Sequence, residues 1–181
     1  MVVGSRVRFW SDLREKRTTP PPELADKLLP SPHDAFRFLS VFGACGMCVR
    51  RSVLEDGARF DERLSVSEDV EFLHRVSLVC PVLISSHDMI RNRMHDSGSN
   101  LSGSGHIDRW VESFLRILDR HHAPENDERF MDQARWLLSQ HAKHGSVAET
   151  RNELLRVFRT RGWPIPLKIR ARMLRRRLAR E

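Results

Sequence analysis

The feature that most constrains the fold is a change in hydrophobic pattern near residue 104. Before it, short apolar runs alternate with segments rich in Gly, Pro and Ser, which is typical of chains that alternate strands and helices. After it, apolar residues recur at helical spacing, beginning in the segment 107–118. We therefore predict an α/β domain over residues 1–104, followed by an all-helical C-terminal region over residues 105–181.

Within the α/β region the pattern predicts short elements separated by loops. In chain order these are a strand at 2–10, a short helix at 35–39, a strand and helical turn at 41–50, a helix from a capping box at 65–68 to about Val79, and strands at 82–85 and 89–94. The proline-rich stretch 11–34 and the Gly- and Ser-rich stretch 96–105 are predicted to be loops.

The C-terminal region is predicted to contain four helices. They are an amphipathic helix over 107–118, a helix around 130–138, a helix from a capping box at 146–149 to Gly162, and a basic amphipathic helix over 166–180. A glycine just past the last turn favours helix termination, because it adopts the left-handed conformation without a steric cost.

Composition indicates the environment in which the protein folds. No segment has the roughly 18 successive apolar residues that a transmembrane helix needs. The N-terminus lacks the apolar core of a signal peptide. Three cysteines, an odd number, fit a reducing compartment better than a disulfide framework. We therefore predict a cytoplasmic location.

The net charge of +7 is concentrated in residues 166–181, which contain seven Lys and Arg against one Glu. The apolar residues interleaved with these charges are Leu167, Ile169, Met173, Leu174 and Leu178. This pattern predicts peripheral contact with an anionic surface at the inner face of the membrane. A solvated helix that packs on the rest of the domain is the other interpretation. A nucleic-acid partner is not predicted, because no nucleic-acid-binding motif occurs.

An ordered series of motifs lies between residues 41 and 102. The series consists of the run Gly43, Ala44 and Gly46, the pair Arg50-Arg51, the triplet Phe60-Asp61-Glu62, the pair Glu68-Asp69 at a predicted helix start, and Arg93-Met94-His95 before Ser97 and Ser99. In this order and spacing the motifs resemble the acceptor-side half of family 2 glycosyltransferases, which are inverting enzymes of GT-A type. The helical remainder carries no signature of that family.

The resemblance implies a partial GT-A half-domain that transfers a sugar from a nucleotide-sugar donor to a glycan or lipid hydroxyl with inversion. It implies that Asp69 is the catalytic base and that Glu68 positions it or contacts the acceptor. It also implies that Arg93 and His95 contact the diphosphate of the donor.

The backbone of Gly43, Ala44 and Gly46 would line the sugar pocket of such an enzyme, again by resemblance. The family implies a divalent cation, Mn or Mg, for which His95 is a candidate ligand. Family members bind the metal and the diphosphate through an Asp-x-Asp motif in a preceding half, and neither this motif nor a Gly-rich phosphate loop occurs here. We therefore expect tight donor binding to need a separate donor-binding chain.

The residue types also suit the reaction on chemical grounds. Inverting transfer needs a base for the acceptor proton, and a carboxylate in the first turn of a helix is kept ionised and oriented by the helix dipole and the unpaired amides. Leaving-group charge needs cations or a metal, a task that suits Arg93 and His95. In isolation, however, the pair Glu68-Asp69 is typical of helix capping. The prediction therefore depends on the ordered series.

Two other interpretations follow from the sequence. The chain could be a non-catalytic remnant or interaction module that pairs with a donor-binding chain or a membrane. Cys45 and Cys48, together with Cys80, also suggest zinc, but a second close-spaced ligand pair is absent and cysteines in an apolar run are commonly core residues. Zinc is therefore not predicted.

Overall fold

The computed structural model describes two compact units. The first comprises Met1–Arg63 and Glu68–Asn100, and the second comprises Leu64–Ser67 and Leu101–Glu181. The residues whose structure is described are 1–9, 12–29, 46–94, 106–145 and 147–178, with side chains up to residue 175. The predicted helix at 35–39 and the predicted loop at 96–105 lie outside these residues. The chain is mixed α/β, as predicted.

The first unit contains the described strands and two helices. In chain order they are β1 (Val2–Phe9), β2 (Glu15–Thr18), β3 (Lys27–Leu28), β4 (Met47–Cys48), α1 (Arg51–Glu55), α2 (Glu68–Val79) and β5 (Leu83–Arg93). The predicted strand at 2–10, the strand followed by a helical turn near residue 50, and the helix that ends at Val79 are confirmed within the described residues.

The strands form one mixed sheet in the order β2-β1-β5-β3, with β4 also paired to β1. β1 and β5 are parallel, and they pair Val3 with Ile84 at one end and Phe9 with Arg93 at the other. The remaining pairs are antiparallel. β4 pairs with the amino-terminal end of β1 and β2 with its carboxyl-terminal part.

The predicted loop at 11–34 is wrong in part, because it contains β2 and β3. β2 has no proline, is almost wholly charged and exposed, and extends the sheet by pairing with β1. β3 has only two residues and pairs with Leu83 and Ile84 of β5. Both elements depend on backbone pairing to a neighbouring strand, which a local polarity pattern does not indicate.

The two strands predicted at 82–85 and 89–94 are one strand, β5. Its pairing with β1 continues through register shifts next to Gly4 and Ser5. A Cβ on Gly4 would lie 2.5 Å from Cγ of Met89, so glycine allows the Met89 side chain to pack closely against β1. A glycine within a strand often marks such a close approach.

α2 begins at Glu68, so the predicted capping box at 65–68 is wrong in register. The residue before the helix, Ser67, has a φ of 61°, in the left-handed region that residues other than glycine rarely adopt. Leu73 of α2 is fully buried and forms a hydrophobic cluster with Val3, Val82 and Ile84. The helix therefore packs on the sheet face that carries Val3.

The described part of the second unit from residue 106 onward consists of helices and short connections. Its helices are α3 (Ile107–His121), a 3₁₀ turn (Pro124–Asn126), α4 (Asp127–His144), α5 (Ala148–Thr160) and α6 (Leu167–Leu178). The four predicted helices are therefore present. The capping box predicted at 146–149 is wrong in register, because the residue before α5 is Val147 and its side chain makes no capping bond.

α5 ends as predicted at Gly162, which has a φ of 66°. The amide of Trp163 donates to the carbonyl of Phe158 at 2.9 Å, and the amide of Gly162 donates to that of Arg159 at 3.3 Å. These bonds form a Schellman motif, and the edge-to-face contact between the Phe158 and Trp163 rings closes it with apolar burial.

No helix in the described ranges is long and apolar enough to cross a bilayer.

Candidate active site at the carboxyl edge of the sheet

The carboxylates predicted to act in catalysis lie in the first turn of α2. Glu68 and Asp69 are both half-buried, and Oδ1 of Asp69 accepts a hydrogen bond of 2.8 Å from the amide of Val70. The helix dipole favours negative charge at this end. The left-handed Ser67 immediately before the pair is a local strain of the kind that clusters at functional sites.

Contacts behind this turn hold the helix start in place. Glu71 is 1% exposed and accepts a 2.7 Å bond from Nε of Arg75, and Arg75 also donates to the carbonyl of Arg59. Phe72 stacks on Phe60 with ring centroids 4.6 Å apart. The predicted Phe60-Asp61-Glu62 segment therefore contacts α2 through Phe60.

The turn that leads towards α2 is closed by an ion pair. Both oxygens of Asp61 accept bonds from the Arg63 guanidinium, at 2.9 Å and 2.8 Å, and Oδ1 also accepts the Arg63 amide at 3.1 Å. Asp61 thus has a positioning role in the fold. The Glu71–Arg75 pair was not predicted from the sequence, although its i, i+4 spacing is a signal for such a pair.

A cationic group lies at the carboxyl ends of β1 and β5, where Phe9 pairs with Arg93. Arg91 and Arg93 of β5 both lie over the Phe9 ring, 5.7 Å and 5.9 Å from its centroid. Arg93 was predicted from the sequence, whereas Arg91 and Phe9 were not. The period-2 spacing of the two arginines could have indicated Arg91, but Phe9 belongs to another strand.

Ion pairs across β1 neutralise part of this group. Arg17 of β2 contacts Asp88 of β5 at 2.6 Å, and Arg91 contacts Glu15. These side chains span β1, which explains the burial of Val7. Arg93 has no carboxylate partner within the described part of the chain. Its charge is therefore the one most available to an anion.

The short connection between α2 and β5 orients the Glu68-Asp69 pair towards the end of the sheet at which Arg91 and Arg93 lie. Three residues separate α2 from β5, so the helix runs antiparallel to the strand and its N-terminus points to the carboxyl ends of β1 and β5. Asp69 precedes Leu73 by one turn, about 6 Å of rise. Phe9 follows Val3 by about 20 Å of strand. If Leu73 is level with Val3, with which it packs, ideal rises put Arg93 about 14 Å farther along the strand direction than Asp69, a gap that an extended ligand would have to bridge.

The predicted donor-site residues are described only in part. Gly46 is buried and immediately precedes Met47, which pairs with Val3. It therefore lies beside the amino-terminal part of β1, far from the end that carries Arg93. Gly43, Ala44 and His95 lie outside the described residues, so the predicted roles of their atoms stay predictions.

The described residues do not form a binding site for the predicted divalent cation. No group of three His, Cys, Asp or Glu side chains that could hold a metal occurs there. Cys48 is exposed and Cys80 half-buried, and both are free thiols. No step of the chemistry is therefore assigned to a metal held by these side chains.

A second cluster of polar residues lies in the helical unit and resembles a nucleophile–base arrangement. Asp108 Oδ1 is 2.8 Å from Nε2 of His141 and accepts a 2.8 Å bond from the Thr150 hydroxyl. Nε2 of His141 is also 3.2 Å from that hydroxyl. Because the same nitrogen, Nε2, faces both Asp108 and Thr150, the imidazole of His141 cannot pass a proton from the hydroxyl to the carboxylate through its two nitrogens, as it would in a catalytic triad. The cluster joins α3, α4 and α5.

A third cluster lies at the start of α4. The Asp127 carboxylate contacts Nε2 of His122 at 2.8 Å and accepts a 3.0 Å bond from Nε1 of Trp163. Partial burial alone would raise the pKa of Asp127, but these two hydrogen bonds and the nearby charges of His122 and Arg161 outweigh it. The pKa of Asp127 therefore lies below its ordinary value.

Comparisons with models of known families, with curated proteins and with solved structures found no match. The resemblance to family 2 glycosyltransferases therefore stays a prediction from the motifs of the chain.

Proposed function

We propose that this chain is the acceptor-side, GT-A-like part of an inverting glycosyltransferase that moves a sugar from a nucleotide-sugar donor to a glycan or lipid hydroxyl. One observation carries the proposal. The pair Glu68-Asp69 begins α2, whose N-terminus points to the carboxyl ends of β1 and β5, and Arg91 and Arg93 lie over the Phe9 ring at those ends. Transfer from a nucleoside diphosphate requires a base at the acceptor hydroxyl and cations at the departing diphosphate.

Asp69 acts as the base in this proposal. Its carboxylate takes the proton of the acceptor hydroxyl while that oxygen attacks the anomeric carbon from the side opposite the leaving group, which inverts the configuration. The bond from the Val70 amide fixes the orientation of the carboxylate. Glu68, one residue earlier, contacts the acceptor.

Arg93 and Arg91 stabilise the diphosphate as it leaves with its additional negative charge. The ring of Phe9 holds both guanidinium groups in one place by cation–π contact. A donor spans the separation of about 14 Å between the levels of Asp69 and Arg93. A donor-binding chain would supply the ligands for Mn or Mg, which would neutralise charge on the diphosphate.

Acceptor-dependent release of nucleoside diphosphate tests this function. The chain is incubated with a panel of nucleotide sugars, Mn²⁺ and a glycolipid extract, both alone and with any polypeptide bearing Asp-x-Asp that is found to be encoded immediately upstream. We expect release that R93Q lowers by about 10²-fold, the usual loss for one group that stabilises developing charge. The matched variant R14Q changes an exposed arginine that pairs locally with Asp12, and it should leave release unchanged.

Absence of release in both arms of the assay would contradict the proposal. Stable association of the two polypeptides without turnover would then favour the alternative, a non-catalytic interaction module.

A further inference from the structure

The basic helix α6 has one side that packs on the rest of its unit. Ile169 is 8% exposed, Met173 is half-buried, and Nη1 of Arg172 donates to the Ser139 hydroxyl of α4 at 3.1 Å. At 100° per residue these three side chains occupy one side of the helix. Ile169 and Met173 therefore pack within the helical unit. They are not available for contact with a membrane, although the sequence pattern alone would allow it.

The opposite side of α6 exposes leucines. Leu167 is 80% exposed and Leu174 is 59% exposed, and the small residue Ala171 between them is exposed as well. Their spacing of i, i+4 and i+7 puts them on one stripe, which we call the leucine face. Leu178 continues the same spacing in the sequence, although its side chain lies beyond the described ones.

Basic residues flank the leucine face on both sides. Lys168 and Arg175 lie on one flank and Arg170 on the other, and all three are exposed. The sequence adds Arg177 at the position that continues the Arg170 flank. No acidic residue occurs within α6. An apolar stripe between two basic flanks is the pattern of a helix that lies in a membrane interface.

We propose that α6 attaches the protein to an anionic phospholipid surface, with the leucine face among the acyl chains and the flanking cations at the headgroups. Charge complementarity favours this partner, since each Lys or Arg near an anionic membrane strengthens binding by about fivefold. A nucleic-acid backbone would match the basic flanks but offers no apolar partner for exposed leucines. The attachment does not depend on the proposed sugar transfer.

Vesicle co-sedimentation of the full chain tests this attachment. Vesicles of phosphatidylcholine with phosphatidylglycerol should bind the protein, and pure phosphatidylcholine should bind it far more weakly. The double variant L167S/L174S should lower the partition coefficient by about tenfold or more, because two exposed leucines no longer leave water. The control L28S/L78S changes two exposed leucines of the other unit and should have no effect.

A second pair of variants separates local charge from net charge. K168Q/R170Q/R175Q removes three charges beside the leucine face and should lower binding by about 10²-fold. R109Q/R116Q/R159Q removes three exposed charges elsewhere in the helical unit and should lower it by less than about threefold. Equal losses in the two triple variants would overturn the proposal.

Nucleic acid is the competing partner in the same experiment. Fluorescence anisotropy with labelled single- and double-stranded oligonucleotides should show weak binding that L167S/L174S does not change. Tight oligonucleotide binding that depends on Lys168, Arg170 and Arg175, without vesicle binding, would also overturn the membrane proposal. Sugar transfer to a soluble acceptor is measured in parallel, so that failure of the two proposals can be told apart.

Discussion

Asp108 joins three helices of the second unit, and its replacement by Asn gives a direct test of how that unit is held together. One carboxylate oxygen contacts both His141 and Thr150 at 2.8 Å, and both oxygens lie 3.4 Å from the Val147 amide at the start of α5. D108N keeps the shape of the side chain but loses the charge and one acceptor. Hydrogen bonds to a charged group contribute about 1.5–3 kcal/mol, so we expect a loss of about 2 kcal/mol.

The loss can be followed by tryptophan fluorescence during unfolding, because three of the four tryptophans belong to the second unit. In a domain of this size 2 kcal/mol corresponds to a decrease in Tm of about 8–16 °C. T150V, which removes only the hydroxyl, should cost about 1 kcal/mol. D119N changes an exposed aspartate on the same helix and should be nearly neutral. Equal midpoints for D108N and D119N would refute the bridging role of Asp108.

Three further predictions concern strain, pH and packing. S67G should be as stable as the parent or up to about 1 kcal/mol more stable, whereas S67V should lose at least about 1 kcal/mol in thermal denaturation, because only glycine adopts the left-handed conformation without cost; equal stability of the two variants would refute this strain. Asp127 has a lowered pKa in the folded state, so its contribution to stability is present above its unfolded pKa of about 3.9 and is lost as pH falls through the lower, folded value. D127N should therefore lose less stability than D132N between pH 5 and pH 2 in urea titrations, and parallel losses would count against this linkage. G4A should lower the free energy of unfolding by about 1–3 kcal/mol through overpacking against Met89, and G4A/M89A should recover part of this loss. A double variant that is less stable than G4A would contradict this prediction.

The helices of this protein could be predicted from sequence because each has a strong local signal. The 3.6-residue apolar period of 107–118 and the glycine at 162 correspond to α3 and the end of α5. Both capping boxes failed in register. A Ser-x-x-Glu pattern does not by itself determine which residue begins the helix. Before α2 the left-handed conformation of Ser67 shifts the helix start, and before α5 the Val147 amide faces Asp108 of another helix.

The sheet could be predicted only where a strand has its own apolar alternation, as β1 has. β2 and β3 are polar and short, and they exist because β1 and β5 offer unpaired backbone groups. Pairing partners are non-local, so a window of sequence does not contain the information. The continuity of β5 likewise depends on Gly4, a residue about 80 positions away in the chain.

Part of the candidate site was accessible from sequence. Glu68 and Asp69 lie at a helix start, as predicted, and Arg93 lies at a strand end. Phe9 could not be found in the same way, because it meets Arg91 and Arg93 only through the parallel pairing of β1 and β5. The predicted contacts of Gly43, Ala44 and His95 fall outside the described residues.

The most direct test of the account is the turnover number of D69N in the nucleoside diphosphate release assay, measured at saturating donor and acceptor. We predict that kcat falls by about 10²- to 10⁴-fold while donor binding is unchanged, because the carboxylate acts on the acceptor proton. The matched variant D56N, an exposed aspartate of the same unit, should keep the parental kcat. A D69N protein that turns over at the parental rate would contradict the central claim.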